Sequence, residues 1–265
     1  MKSNITLGRY LPGNSFIHRL NPKIKIISLL ILLGILFTLR DIFSLIVLLI
    51  AGLSLFFMAK IPIMHVIKSL KPIIYIVLIS LIVFFFFTKG GVVLVRVGSF
   101  TVESEGVWQG VFVVIRLLNL LLFSLLVTLS TTPLSLTHGF SYYLKPLKKV
   151  GLPVDEISMI MAITLRFIPT LIEEGQRLIM SQSARGVDFE TGSLIKKVRN
   201  LSPLIVPLFV SSFRRADELA TAMEARGFCV GAERTRMHQD YLSWQDWIIP
   251  LILGFLLIIS LIIKL

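Results

Sequence analysis

Five apolar stretches, residues 24–39, 42–58, 72–88, 107–129 and 247–263, dominate the chain. A helix that crosses a bilayer needs about 17–25 largely apolar residues. Each stretch meets or nearly meets that length. The expected fold is therefore an all-α integral membrane protein with about five transmembrane helices. The first two stretches are short and meet at Arg40-Asp41, which reads as the tight turn of a helical hairpin. A single re-entrant segment is the alternative, but such segments are usually shorter and richer in Gly and polar residues. The first run lacks a small-x-small exit and a second follows almost at once, so it reads as a span and not as a cleaved signal.

Composition supports this reading. Of 265 residues, 55% are hydrophobic and 16% charged, and mean hydropathy is +0.86. Typical soluble domains carry about 25% charged residues. A disordered chain is excluded, and an ordinary soluble enzyme is disfavoured. The formal net charge is +12. In so apolar a chain, that charge fits membrane topology better than nucleic-acid binding. Cys229 is the single cysteine, so an intramolecular disulfide and a multi-cysteine metal site are excluded. His18, His65, His138 and His238 are scattered, with no i,i+4 pair and no acidic companion, so no metal site is expected.

Charge also gives orientation. Lys2, Arg9, Arg19, Lys23 and Lys25 precede or open the first span with no acid among them. Lys60, Lys68 and Lys71 link the second and third spans, again with no acid. Arg40-Asp41, and the loop with Lys89, Arg96, Glu103 and Glu105, each sum to zero. Short loops rich in Lys and Arg stay cytoplasmic. The N-terminus is thus expected inside, residues 130–246 inside and the C-terminus outside. Three regions follow: an N-terminal membrane region of four helices (1–130), a cytoplasmic region (131–246) and a C-terminal span (247–265).

In the outer loop, β-branched runs flank Gly98-Ser99. They predict a small extracellular β-hairpin, with an irregular loop as the competing reading. Arg116 and Asn119 lie inside the fourth span. An intramembrane Arg either contacts another helix or partner, or snorkels outward if the span starts elsewhere.

The cytoplasmic region has nearly balanced charge, no Gly-rich phosphate loop and no α/β rhythm. Pro and Gly divide it into three helices. The first covers about 133–150 and ends in Lys145, Lys148 and Lys149, suited to a helix C-terminus or an anionic lipid surface. The second covers 153–185, opened by Pro153, Asp155 and Glu156, bent at Pro169 and stopped by Gly186. The third runs from Pro203 or Pro207 to Arg226, stopped by Gly227, with a short connecting helix at 193–200. At an offset of 41, residues 165–186 align with 206–227, and Ala184-Arg185-Gly186 falls on Ala225-Arg226-Gly227. Two readings fit: ordinary helix ends, where Arg and Gly are favoured, or two equivalent docking tips. Arg is a rigid charged fork for carboxylates and carbonyls, and small neighbours let a partner backbone approach. Arg214-Arg215 are placed to pair with Asp217-Glu218 in their own helix or with Glu173-Glu174 in the second.

Thr131-Thr132-Pro133, Leu165-Arg166-Phe167-Ile168-Pro169, Gln182-Ser183-Ala184-Arg185-Gly186 and the run from Arg214 to Gly227 resemble the transmembrane T component of energy-coupling factor transporters, the EcfT/CbiQ family. The resemblance covers nearly the whole chain, and both Ala-Arg-Gly tripeptides are intact. It implies a non-enzymatic scaffold that couples two cytoplasmic ABC-type ATPases, a pair of related chains, to a small S component that captures a vitamin or transition-metal ion. It implies that the two tips dock into the ATPases on three cytoplasmic coupling helices, that ATP and Mg are bound by those partners and no cofactor by this chain, and that the protein sits in the cell membrane. Apolar residues suited to the S component are Ile160, Ile163, Ile168 and Leu171 on the second helix, and Phe209, Phe213, Ala216 and Met223 on the third. The same stripes also suit packing of the two helices on each other. A secondary transporter or channel would require repeats and polar groups within the spans. A membrane-embedded enzyme would require clustered reactive groups there. Neither pattern is present.

Overall fold

In the computed structural model, the described residues are 10–97, 100–189 and 194–232, with Asp246, Trp247, Ile249, Pro250, Leu251 and Leu253 beyond them. The chain divides into two units, Met1–Tyr142 with Gln239–Leu265, and Tyr143–His238.

The first unit opens with a single turn, α1 (Phe16–Arg19), whose N-terminus Ser15 caps through its side chain. Pro at the first helical position and the Asn21 side chain start α2 (Pro22–Thr38). It ends before the Arg40-Asp41 turn, and α3 (Ile42–Ala59) returns, so the predicted hairpin is present. An unpredicted short helix, α4 (Ile63–Leu70), follows. The stretch predicted as one helix over 72–88 is divided: a 3-10 turn at Lys71–Ile73 precedes α5 (Ile74–Phe87). Lys71 keeps helical geometry at φ −51° and ψ −48°, and Pro72 after it lacks an N–H, so one helical hydrogen bond is lost where the winding changes to 3-10. The loop before the fourth apolar stretch forms the antiparallel pair β1 (Val93–Val97) and β2 (Phe100–Glu103), the hairpin the sequence predicts, with a register irregularity at Val93/Val95 that it does not. Its base is stitched to the next helix: Ser104 N donates to Val92 O at 2.9 Å and Glu105 N to Gly90 O at 3.1 Å. That next helix, α6 (Ser104–Ser130), is the longest among the unit's described residues at 27 residues, about 40 Å. By length and composition, α3 and α6 can cross a membrane, and α5 is apolar but shorter. Most of the predicted fifth span lies outside the described residues; those described within it are helical.

The core of this unit is built around α6. Leu122, Leu126 and Leu129 pack with Phe56, Ala59, Ile61, Val66 and Ile17, while Phe123 packs with Leu32, Leu36 and Leu45. Small residues permit the close approaches that helix packing in lipid relies on. A Cβ on Gly106 would lie 2.7 Å from Phe84 O, and one on Gly110 3.1 Å from the Phe85 ring.

Polar groups pin the ends. The Arg116 Nη2 donates to Leu39 O at 2.7 Å, and its guanidinium lies over the Phe112 ring at 4.5 Å. Arg116 therefore contacts another helix and holds the end of α2. Asn119 is fully buried and its Nδ2 donates to Leu45 O at 3.0 Å. Lys25 is buried and donates to Ser130 O and Thr131 Oγ1, both at 2.9 Å. An ammonium at the carbonyl end of α6 meets both its orphan acceptors and the negative end of its dipole.

Thr132 and Pro133 start α7 (Pro133–Leu144), whose N-terminus the Thr132 hydroxyl caps by accepting from Ser135 N. The predicted helix over 133–150 is not a single α-helix. It tightens into a 3-10 segment at Lys145–Val150 and ends at Gly151 with φ +88°. Pro146 cannot donate, and the tighter winding absorbs that loss. Two long helices follow, α8 (Val154–Ala184) and α9 (Leu194–Ala225). Here the expected short helix at 193–200 and a separate start at Pro203 or Pro207 are corrected. One continuous helix contains both prolines. Each removes one backbone bond, but helix-favouring residues on both sides carry the helix through.

Candidate functional site

The candidate site is the α8–α9 pair. The offset-41 repeat seen in sequence is reproduced bond for bond at the two helix ends. In α8, Arg185 N donates to Gln182 O, Gly186 N to Ser183 O and Val187 N to Gln182 O, at 3.1, 2.9 and 3.0 Å. In α9, Arg226 N donates to Met223 O, Gly227 N to Glu224 O and Phe228 N to Met223 O, at 3.1, 2.9 and 3.0 Å. Gly186 and Gly227 have φ of +89° and +75°, the left-handed region where a Cβ is penalised. Nothing lies within 4 Å of a Cβ built on either glycine, so backbone conformation alone explains the residue type. Ala184-Arg185-Gly186 and Ala225-Arg226-Gly227 are exposed throughout, while the following Val187 and Phe228 are partly buried.

The helices meet at equivalent places. Arg215 Nη2 lies 3.0 Å from Glu174 Oε2, and these residues are themselves 41 apart. The Ser211 hydroxyl donates to the other Glu174 oxygen at 2.5 Å. The cross-helix pairing is thus the one formed for Arg215. Glu173-Glu174 aligns with Arg214-Arg215, and Arg177 with Glu218. When equivalent positions face each other, identical charges would repel, and the repeat carries opposite ones.

A groove of about 550 Å³ runs along the pair. It joins Met159 and Ile163, early in α8, to Met223, near the end of α9, and Phe228 just beyond it, while Glu174, later in α8, meets Ser211, earlier in α9; the helices therefore run in opposite directions. Of the eight predicted S-component residues, Ile163, Ile168, Leu171, Ala216 and Met223 line it. Ile160, Phe209 and Phe213 do not; they are exposed outside it, with the two Phe rings 4.6 Å apart. The groove also includes Phe167 and Leu219, which figure in the sequence reading only within the family motifs and not among the S-component residues. The i,i+4 stripe Met159–Ile163–Phe167–Leu171 was the signal for the first. Among the described residues no group of three His, Cys, Asp or Glu is placed to hold a metal.

The fold and the paired tips define a helical membrane protein that carries a two-ended α-helical device. The family profile of CbiQ, cobalt transport protein, matches residues 13–238. The chain is 42% identical over 259 residues to the energy-coupling factor transporter transmembrane protein EcfT of Brevibacillus brevis, covering 98% of each chain. It is 40% identical over 246 residues to EcfT of Bacillus subtilis, covering 93% of each. With EcfT of Clostridium kluyveri it shares 43% over 261 residues, covering 98% of this chain and 97% of that one. The chain belongs to the CbiQ/EcfT family of energy-coupling factor transporter transmembrane proteins.

Proposed function

We propose that this protein couples ATP hydrolysis by two cytoplasmic ABC-type ATPases to movement of a membrane S component during uptake of a vitamin or transition-metal ion. The observation that carries this reading is the equivalence of the two tips. Each Arg lies eleven residues beyond the Glu174–Arg215 contact, 174 to 185 and 215 to 226. Each arm is about 16 Å long at 1.5 Å per residue. Two like tips at opposite ends of an antiparallel pair suit a partner with two-fold or pseudo-two-fold symmetry. The tips differ at Ser183/Glu224 and Val187/Phe228, which favours two related ATPase chains over two identical ones. Arg185 and Arg226 each offer a fork of donors to acidic or carbonyl groups in an ATPase groove.

The α8–α9 groove receives the S component, and α3, α5 and α6 lie in the membrane with α2. The positively charged N-terminal segment and the 60–71 link face the cytoplasm of the cell membrane. Hydrolysis, with its ATP and Mg, belongs to the partner ATPases, and this chain holds no cofactor itself. Stiff helix packing transmits displacement of the tips.

Affinity purification of the tagged chain from its native membrane tests the reading. Two ATPases with one or more small membrane proteins are the expected company. Recovery of the chain alone, under conditions that preserve other membrane complexes, overturns it.

A further inference from the structure

We propose that α4, with Lys60 before it and Lys71 after it, is a membrane-surface anchor that seats on anionic phospholipid headgroups. Its depth is fixed by its neighbours. Three residues, Lys60, Ile61 and Pro62, separate it from α3, and the 3-10 turn that leads into α5 follows it directly. An element strung between two apolar helices lies where their ends leave the hydrocarbon.

Its surface is divided as that depth requires. Val66 is buried among Phe56, Ile61 and Leu126, and Ser69 is buried beside it on the same face. Met64 and Ile67 are 60% and 57% exposed on an outward edge, with Lys68 next to them on the helix surface and also exposed. Large apolar side chains bordered by Lys are the signature of a helix lying in the headgroup plane. The charge is one-signed. Lys60, Lys68 and Lys71 are exposed, and no acidic residue occurs between Asp41 and Glu103. Lys60 adds an independent observation. At φ +55° and ψ +32° it is the one non-glycine residue with positive φ among the described residues. Glycine is favoured at such a helix stop, yet a lysine stands there at a conformational cost. A cation there also meets the carbonyl end of α3, and its long stem lets the ammonium reach a phosphate.

The test uses the assembled transporter in nanodiscs. In a Cys229→Ser background, a spin label is placed at Ile67→Cys or at Lys68→Cys. The label at 67 is expected to relax with lipid-soluble oxygen, and the label at 68 with a water-soluble nickel chelate. A label at 67 shielded from both reagents in the complex, but not in the chain alone, would mean a protein covers this face and would overturn the proposal. Native mass spectrometry from mixed phosphatidylglycerol–phosphatidylcholine membranes then reads headgroup preference. Wild type should retain phosphatidylglycerol over phosphatidylcholine by about threefold or more relative to K60Q/K68Q/K71Q, given the usual strength of a surface lysine for anionic lipid. The K60R/K68R/K71R variant keeps the charge and should keep the enrichment. Equal enrichment in the Gln variant, with its thermal melt unchanged, would also overturn the proposal.

Discussion

Glu174 and Arg215, 41 residues apart and equivalent in the internal repeat, bond to each other at 3.0 Å where α8 meets α9. A contact between equivalent positions is what a local two-fold axis between the helices produces. It makes Glu174–Arg215 a meeting point of the pair, with Arg185 and Arg226 each eleven residues beyond it along its own helix. The Ser211 hydroxyl completes the site.

The ion pair is partly exposed, with side-chain exposures of 34% and 25%. Its net contribution is therefore about 1 kcal/mol or less. The expected consequence lies in coupling more than in stability. Arg215→Glu should place two like charges at this contact and reduce uptake per ATP hydrolysed. Glu174→Arg combined with Arg215→Glu should restore much of it. A double variant no better than the worse single, measured in proteoliposomes, would remove the pair from the mechanism.

The two cap glycines make a cleaner test of tip geometry. Nothing crowds either position, so Gly186→Ala and Gly227→Ala should act only through backbone strain of about 1–2 kcal/mol. Each should weaken ATPase retention severalfold while leaving the helical circular-dichroism signal intact. Undiminished retention in both would mean that the left-handed cap does not set the Arg.

Asn119 has a fully buried amide that donates to Leu45 O. Asn119→Ala should lower stability in detergent by about 1 kcal/mol, the scale of hydrogen bonds between helices in lipid. The check is a shift of the thermal midpoint, with ATPase binding retained. A midpoint equal to wild type would show that the α3–α6 bond contributes nothing.

Lys25 closes the end of α6 through Ser130 O and Thr131 Oγ1. Lys25→Met keeps the length and loses both bonds, leaving buried acceptors unpaired. A loss of about 1–3 kcal/mol follows, read as a lower thermal midpoint. Because the bond joins the first span to the junction before α7, proteolysis near Thr131–Pro133 should also accelerate. Unchanged cleavage would confine Lys25 to a role in topology.

The sequence made much of this legible because its strongest signals are local. Apolar run length marked α2, α3 and α6. Gly-Ser between β-branched runs marked the hairpin, and the glycines after Arg185 and Arg226 marked both helix ends. What was missed depends on partners distant in sequence or on short periods. The eight residues of α4 are too few to stand out between two apolar runs, and the helix exists because Val66 has Phe56 and Leu126 to pack on. Pro203 and Pro207 read as helix starts, yet both lie inside α9, because continuity depends on residues on both sides. The spacing Gly106-x-x-x-Gly110 drew no notice in the sequence analysis, and its partner Phe84 is identified only in three dimensions. The groove divides the predicted apolar residues as no linear pattern does, taking Ile163 and Met223 and leaving Phe209 and Phe213 outside.

The central claim is that Arg185 and Arg226 are the two points at which ATPases are held. The most direct measurement is the amount of ATPase retained per tagged chain for wild type, R185E, R226E and the double variant, all purified identically from membranes. The account predicts partial loss in each single variant and near-complete loss in the double, with insertion and thermal midpoint close to wild type. Wild-type ATPase retention in the double variant would contradict it.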